Sequence, residues 1–321
     1  MAKLLEIKGL QVEYRTGRAT AKALNGINLS IEKGEALGLV GETGAGKTTI
    51  ALSALNLLPA DVGKITGGSI HFDGESVLDM NEKSLEGMRG NKISMIFQNP
   101  LSSLNPLFTV GEQISMVLRK HENLSQKDAL KKAEGLLEMV GIAKYRLEDY
   151  PHQFSGGMRQ RVGIAAALAC NPELLIADEP TTALDVTIQA QILELMKELQ
   201  RKRSSSLLMI THNLGIIAEL CQKVAVIYAG TIIEYGTVRE VFTNPQHWYT
   251  KGLLGAIPSL TGPRNRLTFI PGNVANANAL PTGCKFHPRC SYCTEQCKQK
   301  MPALHEFSDG HFVACWEREG Q

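Results

Sequence analysis

Residues 41–48 read Gly-Glu-Thr-Gly-Ala-Gly-Lys-Thr, a G-x-x-x-x-G-K-T pattern that strongly restricts the fold. The glycines let successive backbone N–H groups turn towards a phosphate, and a following helix adds its N-terminal N–H groups. The apolar run at 36–40 has the composition of a buried strand leading into this loop. This context predicts that Lys47 reaches the β- and γ-phosphates of a nucleotide and that Thr48 ligates Mg²⁺. The candidate phosphate-binding residues are Gly41, Gly44, Ala45, Gly46, Lys47, Thr48 and Thr49.

The length and composition of the chain limit the remaining possibilities. Its 321 residues suggest about two domains, and a net charge of +2 argues against a broad basic face for nucleic acid. The sequence contains no apolar run long enough to span a bilayer, and its first residues lack the hydrophobic core of a signal peptide. We therefore expect a cytoplasmic protein that reaches a membrane only through partners.

Short apolar runs recur along the chain between turn residues and helical stretches. They lie at 93–97, 174–177, 207–210 and 224–227, and residues 1–35 alternate as strands do. This order is typical of an α/β fold with a parallel core. Between about 99 and 165 the pattern predicts a helical insertion, including a helix at 126–140 with Ser125 as its N-cap. Pro, Gly and Asn become frequent after 255, which indicates a domain boundary.

The apolar run at 174–177 ends in two carboxylates, Asp178 and Glu179. An acidic residue at the end of a strand, opposite a phosphate loop, can hold Mg²⁺ directly or through water. The next carboxylate can polarise the water that attacks the γ-phosphorus. We therefore assign Asp178 to the cation and Glu179 to catalysis.

Four further segments resemble motifs of the ABC-transporter ATPases. Residues 154–161, Phe-Ser-Gly-Gly-Met-Arg-Gln-Arg, resemble the signature sequence LSGGQ, with Met158 in place of the usual glutamine. Gln98 resembles the Q-loop residue, residues 183–185 resemble the D-loop, and His212 resembles the switch histidine. All of them follow the family's order, so the resemblance covers the chain up to about residue 255.

The resemblance implies a fold and a set of ligands. It implies an α/β P-loop NTPase (RecA-like) ATPase domain at 1–255, with a helical subdomain at about 99–165, and a small cysteine-rich metal-binding domain at 256–321. ATP and Mg²⁺ are the implied nucleotide and cation. Gln98 would ligate Mg²⁺ and sense the γ-phosphate, and His212 would hold the attacking water. Tyr14 is the candidate for stacking on adenine.

The signature segment implies a second subunit. Ser155, Gly156 and Gly157 stand at the start of a helix, where their N–H groups make a second anion cradle. In the family geometry two subunits pair head to tail, and each signature closes on the other subunit's ATP. The resemblance also places Asp185 of the D-loop at this nucleotide site.

Several segments resemble the dipeptide/oligopeptide importer branch in particular. They are residues 99–106, 154–161, 181–186, 244–250 (with Trp248 in place of the usual proline), 270–272 and 283–290. The resemblance is to a "D"-type subunit, which pairs with an "F"-type ATPase, or with itself in isolation. It implies two transmembrane permease subunits, an indirectly coupled extracytoplasmic substrate-binding protein, and a peripheral position on the inner face of the membrane. We expect the coupling surface near 98–105.

Five of the seven cysteines crowd the C-terminal region with the spacing C-x5-C-x2-C-x3-C-x17-C. Four thiolates suit a 4Fe–4S cluster or Zn²⁺. The spacing matches neither paired C-x2-C zinc knuckles nor the full ferredoxin run, and we favour the 4Fe–4S cluster with Zn²⁺ as the alternative. The branch pattern assigns the ligands to Cys284, Cys290, Cys297 and Cys315, and Cys293 stands where a small residue is usual. We expect loss of the metal to loosen the chain beyond 258 and to leave the phosphate loop able to bind ATP.

The remaining two cysteines, Cys170 and Cys221, lie in apolar surroundings and are interpreted as buried packing thiols.

Two other function classes fit less well. A soluble ABC-type ATPase acting on nucleic acid or ribosomes predicts coiled-coil insertions, tandem phosphate loops or a basic tail, and the sequence has none of them. A kinase or GTPase gives no reason for the segment at 155–157. The sequence therefore predicts an ATPase that powers a dipeptide/oligopeptide importer and has no nucleic-acid partner. ATP binding would close the dimer and hydrolysis would reopen it.

Overall fold

The structure is a computed structural model that describes residues 3–17, 19–99, 104–181, 185–203, 205–257 and 269–318. These residues form two compact units. The helical unit consists mainly of residues between 73 and 210, together with 31–36. The phosphate-loop unit consists of residues 5–30 and 37–72 and the chain from 211 onward.

The secondary structure alternates between strands and helices over most of the chain. The strands are β1 (Lys3–Thr16), β2 (Ala19–Glu32), β3 (Ala36–Val40), β4 (Gly63–Phe72), β5 (Glu75–Ser76), β6 (Ile93–Ile96), β7 (Leu174–Asp178), β8 (Ser206–Ile210), β9 (Lys223–Tyr228), β10 (Thr231–Thr237), β11 (His305–Ser308) and β12 (His311–Val313). The helices are α1 (Lys47–Ala54), α2 (Glu82–Met88), α3 (Val110–Glu122), α4 (Gln126–Met139), α5 (Gly156–Ala167), α6 (Val186–Arg203), α7 (Leu214–Leu220), α8 (Val238–Thr243), α9 (Trp248–Gly255) and α10 (Glu295–Gln299).

The phosphate-loop unit is built on β-sheet. Its strands β3 and β9 are parallel, and β10, β12 and β11 continue the sheet with antiparallel pairing. All five residues of β3 are buried, as expected for a strand covered on both faces. A second sheet has the order β2, β1, β4, with β1 antiparallel to β4. Because β11 and β12 belong to the C-terminal region, that region shares a sheet with the rest of the unit.

The helical unit combines three parallel strands with helices. Strands β6, β7 and β8 are parallel neighbours, and every one of their residues is buried. Helix α3 begins at a capping box, in which Thr109 accepts from the N–H of Glu112 and the Glu112 carboxylate accepts from the N–H of Thr109. Helix α4 buries Ala129, Ala133 and Leu137, which are spaced four residues apart along one face.

The structure confirms the predicted alternation of parallel strands and helices. The Ser125 hydroxyl accepts from the N–H of Asp128 at 3.2 Å, so the predicted N-cap of α4 is confirmed. Among the described residues, no helix combines the length and the apolarity that crossing a membrane requires.

Candidate functional site

The phosphate loop lies between β3 and α1 and depends on two of its glycines. A Cβ on Gly41 would lie 2.3 Å from the carbonyl oxygen of Ile227 in β9, so no side chain fits there. Gly46 is the N-cap of α1 and has a φ of 103°, a left-handed conformation that L-residues rarely adopt. The loop therefore passes close against the sheet and then turns sharply into the helix.

Lys47 is the one cation inside the phosphate loop, and it is 8% exposed. Its Nζ donates to the carbonyl oxygen of Gly41 at 2.7 Å and to that of Glu42 at 3.0 Å. The ammonium is thus held at the loop backbone, where a phosphate oxygen can replace a carbonyl as its acceptor. Thr48 is exposed at the start of α1, which suits a hydroxyl that ligates a cation.

Tyr14 is the predicted adenine-stacking residue, and Thr49 is another predicted site residue. The Tyr14 hydroxyl donates to Thr49 Oγ1 at 3.4 Å, and Thr49 is buried. This contact brings Tyr14 of β1 beside the first turn of α1. Stacking of Tyr14 on adenine stays a prediction.

In the helical unit, the carboxylate pair stands at the end of β7. Asp178 is 2% exposed. Glu179 has a φ of 46°, a strained conformation for a residue with a side chain, and its N–H donates to the carbonyl oxygen of Ile210 in β8 at 2.8 Å. The Glu179 carboxylate accepts from Gln98 Nε2 at 3.0 Å. The strand end therefore holds two candidate catalytic side chains in contact with each other.

The Gln98–Glu179 hydrogen bond gives each group a distinct orientation. Because the Gln98 amide nitrogen donates to the carboxylate, its amide oxygen is the atom that can ligate Mg²⁺. Residue 98 follows β6 and residue 179 follows β7, and these strands are parallel neighbours. The carboxyl ends of neighbouring parallel strands thus bring together residues that are 81 positions apart.

The signature segment contains the start of α5, where Ser155 and Gly156 are exposed. Ser155 is the N-cap, and its hydroxyl accepts from the N–H of Met158 at 3.3 Å. In the part of the chain that the structure describes, a Cβ on Gly156 would meet no atom within 4 Å beyond its chain neighbours and the backbone of its own helix. Farther along the helix, the buried Gln160 side chain donates to the carbonyl oxygen of Pro180 at 3.1 Å. This bond connects the signature helix to the residue after Glu179.

Asp185, the last residue of the D-loop motif, caps α6. Its side chain accepts from the N–H of Ile188 at 3.0 Å. The other two residues of the motif, Ala183 and Leu184, lie outside the described residues, as do residues 100–103 of the expected coupling surface.

His212 lies in the phosphate-loop unit, on a turn held at both ends. On one side, the N–H of Thr211 donates to the carbonyl oxygen of Leu39 in β3 at 3.4 Å. On the other side, Asn213 caps α7 through the N–H of Gly215 at 3.0 Å. His212 itself is exposed, so its ring is accessible to a phosphate or a water.

Comparison with known proteins identifies the family of this chain. The model of the ABC transporter family matches residues 24–182, and the model described as oligopeptide/dipeptide transporter, C-terminal region, matches residues 233–297. The chain is 48% identical to the oligopeptide transport ATP-binding protein OppD of Escherichia coli (strain K12) over 316 residues, which cover 98% of this chain and 93% of that protein. This chain belongs to the ATP-binding subunits of the oligopeptide/dipeptide branch of ABC transporters.

A second relative and a solved structure support the same family assignment. The chain is 46% identical to the dipeptide transport ATP-binding protein DppD of Bacillus subtilis (strain 168), over 98% of this chain and 95% of that one. The solved dimeric ATP-binding cassette MJ0796, with ADP and phosphate bound, superimposes with a TM-score of 0.67 at 30% identity, covering 73% of this chain and 99% of that chain. The predicted ABC ATPase fold is therefore confirmed.

The C-terminal cysteines gather around one cavity of the phosphate-loop unit. Cys284, Cys290, Cys297 and Cys315 all line it, together with Phe286 and other residues. Cys293 is not among the described residues that line this cavity, although its thiol neighbours that of Cys297. Across the described residues, no group of three or more His, Cys, Asp or Glu side chains is arranged to hold a metal ion. The predicted cluster is thus not supported by an assembled ligand set.

Burial changes the pKa of three of these thiols. It raises the pKa of Cys284 and of Cys290 to about 11, and it also raises the pKa of Cys315. Since thiolates rather than thiols bind metals, metal binding here would release protons.

The two isolated cysteines differ from each other. Cys221 is 8% exposed, and burial raises its pKa to about 12, as expected for a packing thiol. Cys170 is only half-buried, so the expectation that it is buried was wrong. It lies at the end of the helical unit's α5 segment, with Sγ 4.0 Å from the carbonyl oxygen of Val117.

One contact of the phosphate loop was not predicted from the sequence. Arg289, from the cysteine-rich region, forms a two-pronged ion pair with Glu42, the second residue of the loop. The N–H of Glu42 also donates to the hydroxyl of Tyr249 in α9 at 2.8 Å. The C-terminal region is therefore in direct contact with the phosphate loop. That the loop still binds ATP when this region is loosened stays a prediction. Only a matching pair of charges, Glu42 and Arg289, could have suggested the contact.

Proposed function

We propose that this chain binds and hydrolyses ATP with Mg²⁺ to power a dipeptide/oligopeptide importer. The observation that carries the proposal is the combination of a complete phosphate loop with a strained, hydrogen-bonded Glu179 at the end of a parallel strand. The names of the relatives supply the peptide cargo.

In the proposed mechanism, each motif has one task. The loop N–H groups and Lys47 would bind the β- and γ-phosphates, and the Thr48 hydroxyl and Gln98 amide oxygen would hold Mg²⁺. The buried Asp178 carboxylate would balance the charge of that cation. Mg²⁺, when bound, draws charge from the phosphate oxygens.

Water activation is assigned to two side chains. Glu179 accepts a proton from, or orients, the water that attacks the γ-phosphorus, and Gln98 keeps that carboxylate in place. His212 hydrogen-bonds the γ-phosphate and steadies the same water. This assignment uses the exposed ring of His212 and the held turn beneath it.

We propose that the working unit is a head-to-tail ATPase dimer. The support is that Ser155 and Gly156 are exposed at the start of α5, where the first N–H groups have no acceptor within the helix. Each signature would bind the phosphates of the other subunit, with Asp185 nearby. The second subunit is an "F"-type ATPase, or another copy of this chain in isolation.

The dimer would work at the inner face of the membrane. It would bind two permease subunits there, with the coupling surface near residues 98–105, and an extracytoplasmic substrate-binding protein would act indirectly. ATP binding would close the dimer and hydrolysis would reopen it.

The dimer proposal is tested by the dependence of ATPase rate on concentration. We expect the specific activity of the purified chain to rise with its concentration, and to rise further with the second ATPase and the permease subunits. A specific activity that is independent of concentration and of partners would contradict the proposal.

We further propose that the C-terminal extension, from about residue 256, binds a 4Fe–4S cluster through Cys284, Cys290, Cys297 and Cys315, with Zn²⁺ as the alternative. The support is that these four thiols line one cavity. A zinc ion requires four sulfurs at about 2.3 Å from one point, whereas a cluster accepts more widely spaced thiolates. The bound group would mainly stabilise the extension, because ATP hydrolysis has no redox step.

Anaerobic purification tests this assignment. We expect brown protein with about four irons per chain. Cys297→Ser should lose the iron, and the matched control Cys293→Ser should keep it. Colourless protein with one zinc per chain would select Zn²⁺, and loss of iron in Cys293→Ser alone would overturn the ligand set.

A further inference from the structure

Arg289 contacts the phosphate loop with a geometry that fixes both partners. Its Nη1 lies 2.6 Å from Glu42 Oε2, and its Nη2 lies 3.0 Å from Oε1. The Arg289 side chain is 5% exposed and that of Glu42 is 25% exposed. A bidentate pair of this kind is stronger and more directional than an ordinary ion pair at the surface.

The guanidinium is itself held by the C-terminal region. Arg289 Nε donates to the carbonyl oxygen of Pro271 at 2.9 Å, and the guanidinium lies 5.8 Å from the centroid of the Tyr228 ring. The rings of Tyr228, Tyr249 and Phe286 pack on one another around it. These contacts hold the Arg289 guanidinium in place beside Glu42.

The position of Glu42 makes this pairing important for an anion. Glu42 lies between Gly41 and Gly44, and its backbone carbonyl accepts from Lys47, the cation that serves the phosphates. An unpaired carboxylate in a loop that binds a polyphosphate would repel it and compete for Lys47. The carboxylate would also be able to swing into the loop. The ion pair prevents both effects.

We propose that Arg289 is a positioning residue for the nucleotide, which neutralises Glu42 and holds it in place so that the phosphate loop binds ATP. The C-terminal extension thereby sets the affinity of the phosphate loop. This inference rests on the proposed binding of ATP by this loop. It assigns a role to an arginine that touches neither substrate nor Mg²⁺.

The test measures how tightly each variant binds a non-hydrolysable ATP analogue in the presence of Mg²⁺. The dissociation constant of the analogue and the melting temperature of the protein are the two readouts. We expect Arg289→Met to weaken binding on the order of tenfold, because Glu42 is left unpaired. The double variant Arg289→Met/Glu42→Gln should recover most of that loss, since the repelling charge is gone. If the ion pair is only a structural contact, the double variant should bind the analogue as weakly as Arg289→Met, because it does not restore the pair.

Two further variants keep the test decisive. Glu42→Gln alone should bind the analogue at least several-fold more tightly, since Arg289 then adds an unneutralised positive charge; weaker binding would overturn the proposal even if Arg289→Met failed to fold. Lys298→Ala removes an exposed cation of the same extension, paired with Glu295, and should leave the affinity unchanged. Absence of binding by the wild-type chain would instead contradict the proposed function, whereas equal binding by wild type and Arg289→Met would overturn this inference alone.

Discussion

The phosphate loop and the signature turn are the two proposed anion-binding segments at helix starts, yet they are built differently. In the phosphate loop, Gly41 lies against the sheet and Lys47 is buried on the loop carbonyls. In the signature turn, Gly156 has open space around it and Ser155 is exposed. The residues of the first segment pack against their own sheet, whereas the second begins with two exposed residues. The difference is what a site shared between two subunits requires.

The largest expected effect separates nucleotide binding from chemistry. Glu179→Gln should lower ATP turnover on the order of 10²-fold or more while keeping ATP binding, because the shape of the side chain is preserved and its charge is lost. Lys47→Ala is the matched control, which should weaken binding itself by removing the loop's cation. Steady-state turnover and analogue affinity measure the two effects. Wild-type turnover in Glu179→Gln would remove the assignment.

Features that depend on a few consecutive residues were predictable from the sequence. A buried strand, a glycine-rich turn and a helix start are properties of a few consecutive residues, so the phosphate loop was predictable from 36–48 alone. The N-cap at Ser125 was predictable for the same reason.

Contacts between distant residues were not predictable from the pattern. The Gln98–Glu179 bond joins the ends of β6 and β7, and only the parallel register of those strands brings the two side chains together. The Arg289–Glu42 pair spans 247 positions. The strand β12 has three residues, which is too short for any periodicity to reveal that it pairs with β10. Tertiary packing decides all three.

The ion pair also changes an expectation about the C-terminal region. The C-terminal region shares a sheet with β10 and pairs with Glu42 of the phosphate loop. Arg289 immediately precedes Cys290, one of the proposed ligands. From this contact we predict that loss of a bound cluster weakens ATP binding as well as loosening the extension, whereas the sequence alone predicts that ATP binding is kept.

The second prediction tests how tightly the phosphate loop is built. Gly41→Ala should destabilise the protein by about 1–3 kcal/mol or more, because the new Cβ would lie 2.3 Å from the Ile227 carbonyl oxygen and the backbone must shift. Urea denaturation monitored by circular dichroism measures the free energy of unfolding. A loss below about 0.5 kcal/mol would mean that the loop is more adaptable than its packing indicates.

The third prediction concerns the cap of the signature turn. Ser155→Ala should cost about 1 kcal/mol of stability, because the N–H of Met158 loses its acceptor, and it should also weaken ATP-driven dimerisation. Ser125→Ala is a matched control, since Ser125 caps α4 in the same way. The control should show the same loss of stability with normal dimerisation. Equal dimerisation of the two variants would show that Ser155 is only a helix cap.

The smallest effect on stability is expected at Gly156, and it provides the sharpest contrast with Gly41. Gly156→Ala should change the free energy of unfolding by no more than about 0.5 kcal/mol. Among the described residues, the added methyl group meets no atom within 4 Å beyond its chain neighbours and the backbone of its own helix. In the closed dimer, however, the same methyl group would stand between the α5 N–H groups and the other subunit's phosphates. Gel filtration with ATP, in the Glu179→Gln background, should therefore show loss of the dimer from a chain that is as stable as wild type. Normal dimerisation of Gly156→Ala would mean that this turn does not approach a nucleotide, and the signature turn would lose its proposed role.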